Sequence, residues 1–355
     1  MNRLLFVYLL SSSLFAIQPA PKGVIGNILN EQEWNAISQV LDTRASKLFE
    51  QNVNFLTPEK LGLSCPIEKD PKTGRIYIHL KDKPNSFLGT GCWKTVSKSI
   101  LYTPKPKIVA RCEVNKTGFK EVEILKKLQG VAGVVKLYSF IKRSESHCDM
   151  FLEYCNSGSL LKVEYEHIPI QESDYFQLFD DILTAVHGIH ERGYMHRDLH
   201  RGNILLTRKG KGPLRARIID FGQTISLTKD KDKSVVITKS NSPPETFLTS
   251  HSNIDRRKAE CYAVGVTLYI IVNSLKPAWT RNIVDVRVSE LSKEMRLKVH
   301  QEVVRLWQES SKTIVPNTLA GDLGLLAHEL MNPNPKLRLS LIDAKTRLAQ
   351  LRQKY

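Results

Sequence analysis

Residues 196–206 read His-Arg-Asp-Leu-His-Arg-Gly-Asn-Ile-Leu-Leu, and a later apolar stretch ends in Ile219-Asp220-Phe221-Gly222. The side chains able to do chemistry here are two carboxylates, Asp198 and Asp220, and one amide, Asn203. Such a set suits phosphoryl transfer: one carboxylate orients an attacking hydroxyl, while an amide oxygen and a second carboxylate hold Mg²⁺ on the phosphates. The expectation is Asp198 as catalytic base, with Asn203 and Asp220 as metal ligands.

A second candidate region lies upstream, in Leu88-Gly89-Thr90-Gly91-Cys92-Trp93-Lys94-Thr95-Val96. Gly89 and Gly91 let the backbone approach phosphates with no Cβ in the way. Val109-Ala110-Arg111-Cys112-Glu113-Val114 then reads as a strand. Side chains alternate along it, so Ala110 and Cys112 share one face and Arg111 points from the other.

Taken together, these runs resemble protein kinases: the catalytic loop, the magnesium loop and the glycine-rich loop over ATP. Protein kinases carry a phosphate-binding lysine on the third strand, in a Val-Ala-x-Lys pattern. Here Cys112 stands at that place. This is similar to the with-no-lysine kinases, which take the lysine from the glycine-rich loop, and it implies Lys94 as the phosphate lysine. Arg111, next door but on the other face, is the weaker substitute.

The resemblance implies further roles. Glu121, in the helical run 118–128, matches the acidic partner of the phosphate lysine, with Glu123 as rival. Met150 to Leu160 looks like the hinge, with Leu152 as gatekeeper and the backbones of Glu153 and Cys155 on the adenine edge. Leu88, Gly89, Gly91, Val96, Ala110 and Leu205 complete the implied ATP contacts. Ser242-Pro243-Pro244-Glu245 resembles the end of an activation segment, and Arg338 stands where its partner arginine belongs. Glu260-Cys261-Tyr262 resembles the start of a core helix, with Glu for the usual Asp. Thr238 and Ser240 are candidate phosphorylation sites, and the implied acceptor is a protein serine or threonine.

Two departures keep other readings open. His200 replaces the lysine that contacts the transferred phosphate, and imidazole carries less positive charge at neutral pH. A catalytically weak pseudokinase scaffold would share that trait. The Asp-Leu-His-x-Gly-Asn-Ile-Leu run also resembles small-molecule kinases of the aminoglycoside and choline type.

The elements that must position these residues follow from periodicity. Trp34, Ile37, Val40, Leu41 and Leu48 recur at helical spacing, with Asn30 or a neighbour as the cap, and 75–81 alternates as a strand with Ile76, Ile78 and Leu80 on one face. After Ser173 helices dominate, at 175–192, 258–272, 293–309 and 319–331. The expected class is α+β, a bilobal kinase-like fold over 75–348, with a β-rich lobe at 75–155 and a helical lobe at 156–348. Residues 21–74 read as a helical extension and 1–20 as a signal-like apolar segment.

Composition narrows the partners. The 52 basic and 36 acidic side chains leave a formal charge of +16, which favours nucleotide or an acidic partner surface. No zinc-finger or RNA-binding signature accompanies that charge. The six cysteines show no Cys-x-x-Cys pair, so neither a metal site nor a disulfide framework is indicated. The apolar start is too short for a transmembrane helix. It points to export, as for an effector acting inside another cell, or to the cytoplasm if it is never processed.

Overall fold

The computed structural model describes residues 26–45, 53–91, 94–116, 118–166, 170–229, 241–273 and 291–355, with positions 20, 24, 47, 49 and 51. The signal-like segment before Ala20 lies outside the described residues, as do Leu48, Cys92, Trp93, Thr238 and Ser240. The chain divides into two compact units, Met1–Phe119 with Leu137–Tyr154, and Lys120–Lys136 with Cys155–Tyr355. The first is β-rich and the second helical, the α+β composition expected from the sequence.

In the first unit, helix α1 (Glu31–Val40) opens on a capping box. Asn30 accepts the Glu33 backbone N–H at 2.8 Å, and Glu33 accepts that of Asn30 at 2.8 Å. The strands are β1 (Phe55–Leu56), β2 (Ile67–Lys69), β3 (Ile76–His79), β4 (Phe87–Thr90), β5 (Lys94–Tyr102), β6 (Lys107–Asn115), β7 (Leu137–Lys142) and β8 (His147–Glu153). They form one antiparallel sheet in the order β1-β2-β3-β5-β6-β8-β7, with β4 pairing β5. Register sets Ile67, Ile78, Ile100 and Ile108 in a row across four strands, and residues opposite one another share a face. Trp34, Ile37 and Leu41 pack on that row as a single core. The other face buries Tyr77, Leu101, Val109 and Phe151.

One expectation is corrected here. Residues 21–74 are not purely a helical extension: they supply β1 and β2, which continue the sheet through β3 to β5. Strands of two and three residues are too short to show a period in sequence. Tyr77 and His79, on the other face of β3 from Ile76 and Ile78, are buried as well. Tyr77 donates to Ser139 Oγ at 2.7 Å and stacks on Phe151, while His79 Nε2 meets Glu68 at 3.0 Å and its Nδ1 is buried without a hydrogen-bond partner.

That second face also holds a charge network. Arg143 bonds both Glu68, through Nη2 at 2.6 Å, and Asp149, through Nε at 2.8 Å. Burial alone would raise the Glu68 pKa, but the bonds from His79 and Arg143 outweigh it and hold the carboxyl at about 2.

The second unit contains most of α2 (Gly118–Leu128), then α3 (Leu160–Tyr165), α4 (Glu172–Glu191), α5 (Arg256–Asn273), α6 (Lys293–Ser310), α7 (Leu319–Leu330) and α8 (Leu341–Lys354). Grouping α2 with this unit departs from a lobe boundary drawn at 155 alone. Helix α5 is buried on nearly every side, as a central helix must be to stay apolar all round. A Cβ at Gly265 would sit 2.7 Å from Met331 and 2.9 Å from the Ala327 carbonyl, so only glycine lets α7 approach. Short ladders join β9 (Tyr194–Met195) to β12 (Ile225–Ser226), and β10 (Ile204–Thr207) to β11 (Arg215–Ile218). No helix among the described residues is long and apolar enough to cross a membrane.

Trp34 is 3 % exposed, so Trp34→Ala is expected to cost roughly 3–5 kcal/mol, read as a lower urea midpoint. An unchanged midpoint would detach α1 from the sheet core. A second outcome concerns pH. Because the folded pKa of Glu68 lies below its ordinary 4.5, its stabilisation is present above about 4.5 and is lost as pH falls through about 2. Glu68→Gln should therefore flatten the loss of stability in that window, measured by denaturation at stepped pH.

Candidate active site

Asp198 sits in the irregular segment after β9, and its neighbours adopt costly backbone. Arg197 has φ 73° and Asp220 φ 66°, the left-handed region that residues other than glycine seldom occupy. Strain of about 1–3 kcal/mol at each must be held by its surroundings. Glu260, at the start of α5 and 1 % exposed, does this for the first: its carboxylate accepts the backbone N–H of Arg197 at 2.8 Å and that of His196 at 3.2 Å. His190 of α4 adds a bond at 2.7 Å. Burial pushes the Glu260 pKa up, yet these bonds and the nearby imidazoles win, so the carboxyl stays below its ordinary value.

His196, fully buried, carries the order across to the second acidic loop. Its Nε2 meets the Ile219 carbonyl at 2.9 Å and its ring meets the edge of Phe221. The β10–β11 ladder, with Ile204 opposite Ile218, ties the same two loops a second time.

Asn203 is 7 % exposed, and its Nδ2 donates to the Asp198 carbonyl at 2.9 Å and reaches Asp198 Oδ2 at 3.5 Å. With the amide nitrogen so engaged, the amide oxygen is the end left to bind a cation. An amide oxygen and a carboxylate such as that of Asp220 are the hard oxygen donors that suit Mg²⁺. Glu121, 4 % exposed, accepts the Phe221 backbone N–H at 3.1 Å. Its rival Glu123 lies at the surface, paired with Lys126. Leu205 is half-buried on β10, and Cys155 is buried in the same unit.

The first unit positions the other candidates. Register sets Lys94 opposite Val114 and Val96 opposite Cys112, so Lys94, Val96, Ala110 and Cys112 share one face. Ala110 also pairs with Leu152 and Val109 with Glu153, which brings the hinge-like strand beside that face. Arg111 points from the other side, where Asp149 binds its Nε at 3.0 Å and Nη2 at 2.8 Å, and Glu113 lies 3.2 Å from Nη1. Gly89 has φ 155°, a conformation side chains resist, and the Gly91 N–H donates to the Lys94 carbonyl at 2.8 Å. Leu88 at this turn is exposed. Gly91 and Lys94 border an open cavity of about 520 Å³ with Arg111, Glu113 and Asp149.

Farther along the helical unit, Arg338 grips Glu245 with both Nη atoms, at 2.8 and 2.7 Å, and is 1 % exposed. Its remaining donors go to the carbonyls of Asn332 and Lys258. Arg197, beside the candidate base, donates to Gln223 Oε1 at 2.7 Å. Sequence reasoning did not find the bracing role of Glu260 or the part of His190. Neither has a local signature, because the partners lie 63 to 70 positions apart.

The protein kinase domain profile matches residues 92–349. Putative sperm motility kinase W of Mus musculus is 28% identical over 262 residues, covering 72% of this chain and 47% of that protein. Probable serine/threonine-protein kinase fnkB of Dictyostelium discoideum is 28% identical over 155 residues, 42% of this chain and 28% of its own. Serine/threonine-protein kinase kin-29 of Caenorhabditis elegans is 33% identical over 155 residues, 43% and 18% respectively. The chain thus spans about half or less of the length of these relatives.

Removing one side of the buried ion pair should show how much it holds. Arg338→Met strands the Glu245 carboxylate and is expected to cost roughly 3–5 kcal/mol, read as a lower urea midpoint at unchanged slope. A change within error would mean that the pair is dispensable.

Proposed function

Because the chain belongs to the protein kinase family, we propose that it is an ATP- and Mg²⁺-dependent serine/threonine protein kinase whose phosphate lysine is Lys94. The observation that carries this reading is the Asn203–Asp198 contact, which fixes a candidate base beside a candidate metal ligand. Asp198 orients the acceptor hydroxyl and takes its proton as the oxygen attacks phosphorus. Asn203 and Asp220 are the residues to hold Mg²⁺, whose charge offsets that of the phosphates. Most of the acceleration in such a site comes from positioning and fixed charge.

Lys94 is favoured over Arg111 on two grounds. It shares the Cys112 face, and its four-carbon stem suits a point contact with phosphate. Arg111 is committed to Asp149 and Glu113 on the opposite face. Glu121 is favoured as the acidic partner because it is buried and already bonded to the Asp-Phe-Gly backbone. Leu88, Gly89, Gly91, Val96, Ala110, Leu152, Glu153, Cys155 and Leu205 are the proposed ATP contacts. The buried Glu245–Arg338 pair supports a protein acceptor over a small molecule, since Ser242-Pro243-Pro244-Glu245 resembles the end of a protein-kinase activation segment.

Transfer of labelled γ-phosphate to a protein substrate tests the reading. Asp198→Asn is expected to lower kcat by about 10²–10⁴-fold, and Lys94→Met by at least about 10²-fold. Cys112→Ala should keep most of the activity. A Lys94→Met protein as fast as the parent would remove Lys94 from the site. Nucleotide binding without transfer would favour a scaffold, and transfer only to a sugar or amino alcohol a small-molecule kinase.

A further inference from the structure

We propose that Lys98 is a positioning residue for the adenine contact, and that the segment before the kinase profile holds it in place through Asn85. The proposal rests on the kinase reading above, in which the backbone of Glu153 meets the adenine edge. A backbone contact cannot be tuned by its own side chain. It is tuned by whatever fixes the neighbouring chain, and Tyr154 is the next residue.

Register sets Lys98 of β5 opposite Ala110 of β6, and Ala110 opposite Leu152 of β8. Lys98 therefore stands on the proposed nucleotide face, two places along β5 from Val96. Its Nζ lies 5.7 Å from the centroid of the Tyr154 ring. Both side chains are half-buried, and at this distance the cation is attracted to the face of the ring and biases where it sits. The same Nζ donates to the Asn85 carbonyl at 2.9 Å, and the Lys98 backbone N–H donates to the Ser86 carbonyl at 2.8 Å. One residue thus joins the turn before β4 to the chain that follows β8.

That turn is fastened from the other side as well. Asn85 has φ 56°, a left-handed conformation that asparagine accepts more readily than most side chains. Its Nδ2 donates to the Asn27 carbonyl at 3.0 Å, across 58 positions of sequence. Lys83 pairs with Glu33, the capping-box glutamate of α1. Helix α1 is in turn packed into the core that Ile108 borders, two residues before Ala110 and on the same face. The profile starts at residue 92, so Asn27, Glu33, Lys83 and Asn85 lie outside it, while Lys98 and Tyr154 lie inside. The added segment and the adenine contact are one assembly, with Lys98 as the joint.

The test uses the full chain and compares ATP with adenosine, each by calorimetric titration, beside kcat and the KM for ATP. Lys98→Met is expected to raise the KM for ATP about 3–10-fold, with kcat within about twofold of the parent. Adenosine should lose affinity by the same factor as ATP, because this contact serves the base and not the phosphates. Lys98→Arg keeps both the cation and the donor, and should return the KM to within about twofold of the parent. Asn85→Gly keeps the left-handed backbone and removes the amide. It should raise the KM about 2–5-fold in the parent and add nothing in the Lys98→Met background.

An unchanged KM in Lys98→Met, or a loss confined to ATP with adenosine unaffected, overturns the proposal and leaves the kinase reading standing. Full additivity of Asn85→Gly with Lys98→Met overturns the joint between them. The expected binding pattern in a parent that transfers phosphate to no acceptor overturns the kinase reading alone. A parent that binds neither ATP nor adenosine overturns both.

Discussion

A buried carboxylate that must be answered by donors governs the geometry of the catalytic segment. Glu260 is almost wholly removed from water, where an uncompensated anion costs several kcal/mol. Its partners are the imidazole of His190 and the backbone N–H groups of His196 and Arg197. Those bonds can all form only if Arg197 turns into the left-handed region. The strain at Arg197 is thus offset by the charge behind it, and Asp198 inherits its direction from that bargain. From there the order passes through His196 to the Ile219 carbonyl, and the Phe221 N–H ends on Glu121.

The protein uses buried ions in this way more than once. Arg338 and Glu245 join segments 93 positions apart through a two-pronged contact. In the β-rich unit, Glu68, Arg143, Asp149 and Arg111 link β2, β6 and β8 on the face away from Lys94. Each cluster keeps its charges matched internally.

How much of this is legible in the sequence depends on how local its cause is. The helix at Gly118–Leu128 shows itself through 3.6-residue spacing, and the Asn30–Glu33 cap through residue type. The alternation on β6 separates Cys112 from Arg111 without any structure. Among the site residues, the spacing of Asp198 and Asn203 anticipates their contact. Glu121 and Glu123 stand two positions apart and so on opposite faces of one helix, and burial of the first separates them. The partners of Tyr77 and His79, Ser139 and Glu68, lie 62 and 11 positions away and leave no local trace.

The row Ile67–Ile78–Ile100–Ile108 has a consequence for where this protein begins as a foldable body. The protein kinase domain profile begins to match at residue 92, yet α1 and strands β1 to β4 lie before it. A fragment cut at the shared boundary would keep β5 but lose β3 and β4, its partners on one side, and the helix that covers Ile100. An apolar strand with an open hydrogen-bonding edge is a template for self-association. The kinase profile and the packed core thus draw different borders, and the core already includes Val24, Ile28 and Leu29, well upstream of residue 92.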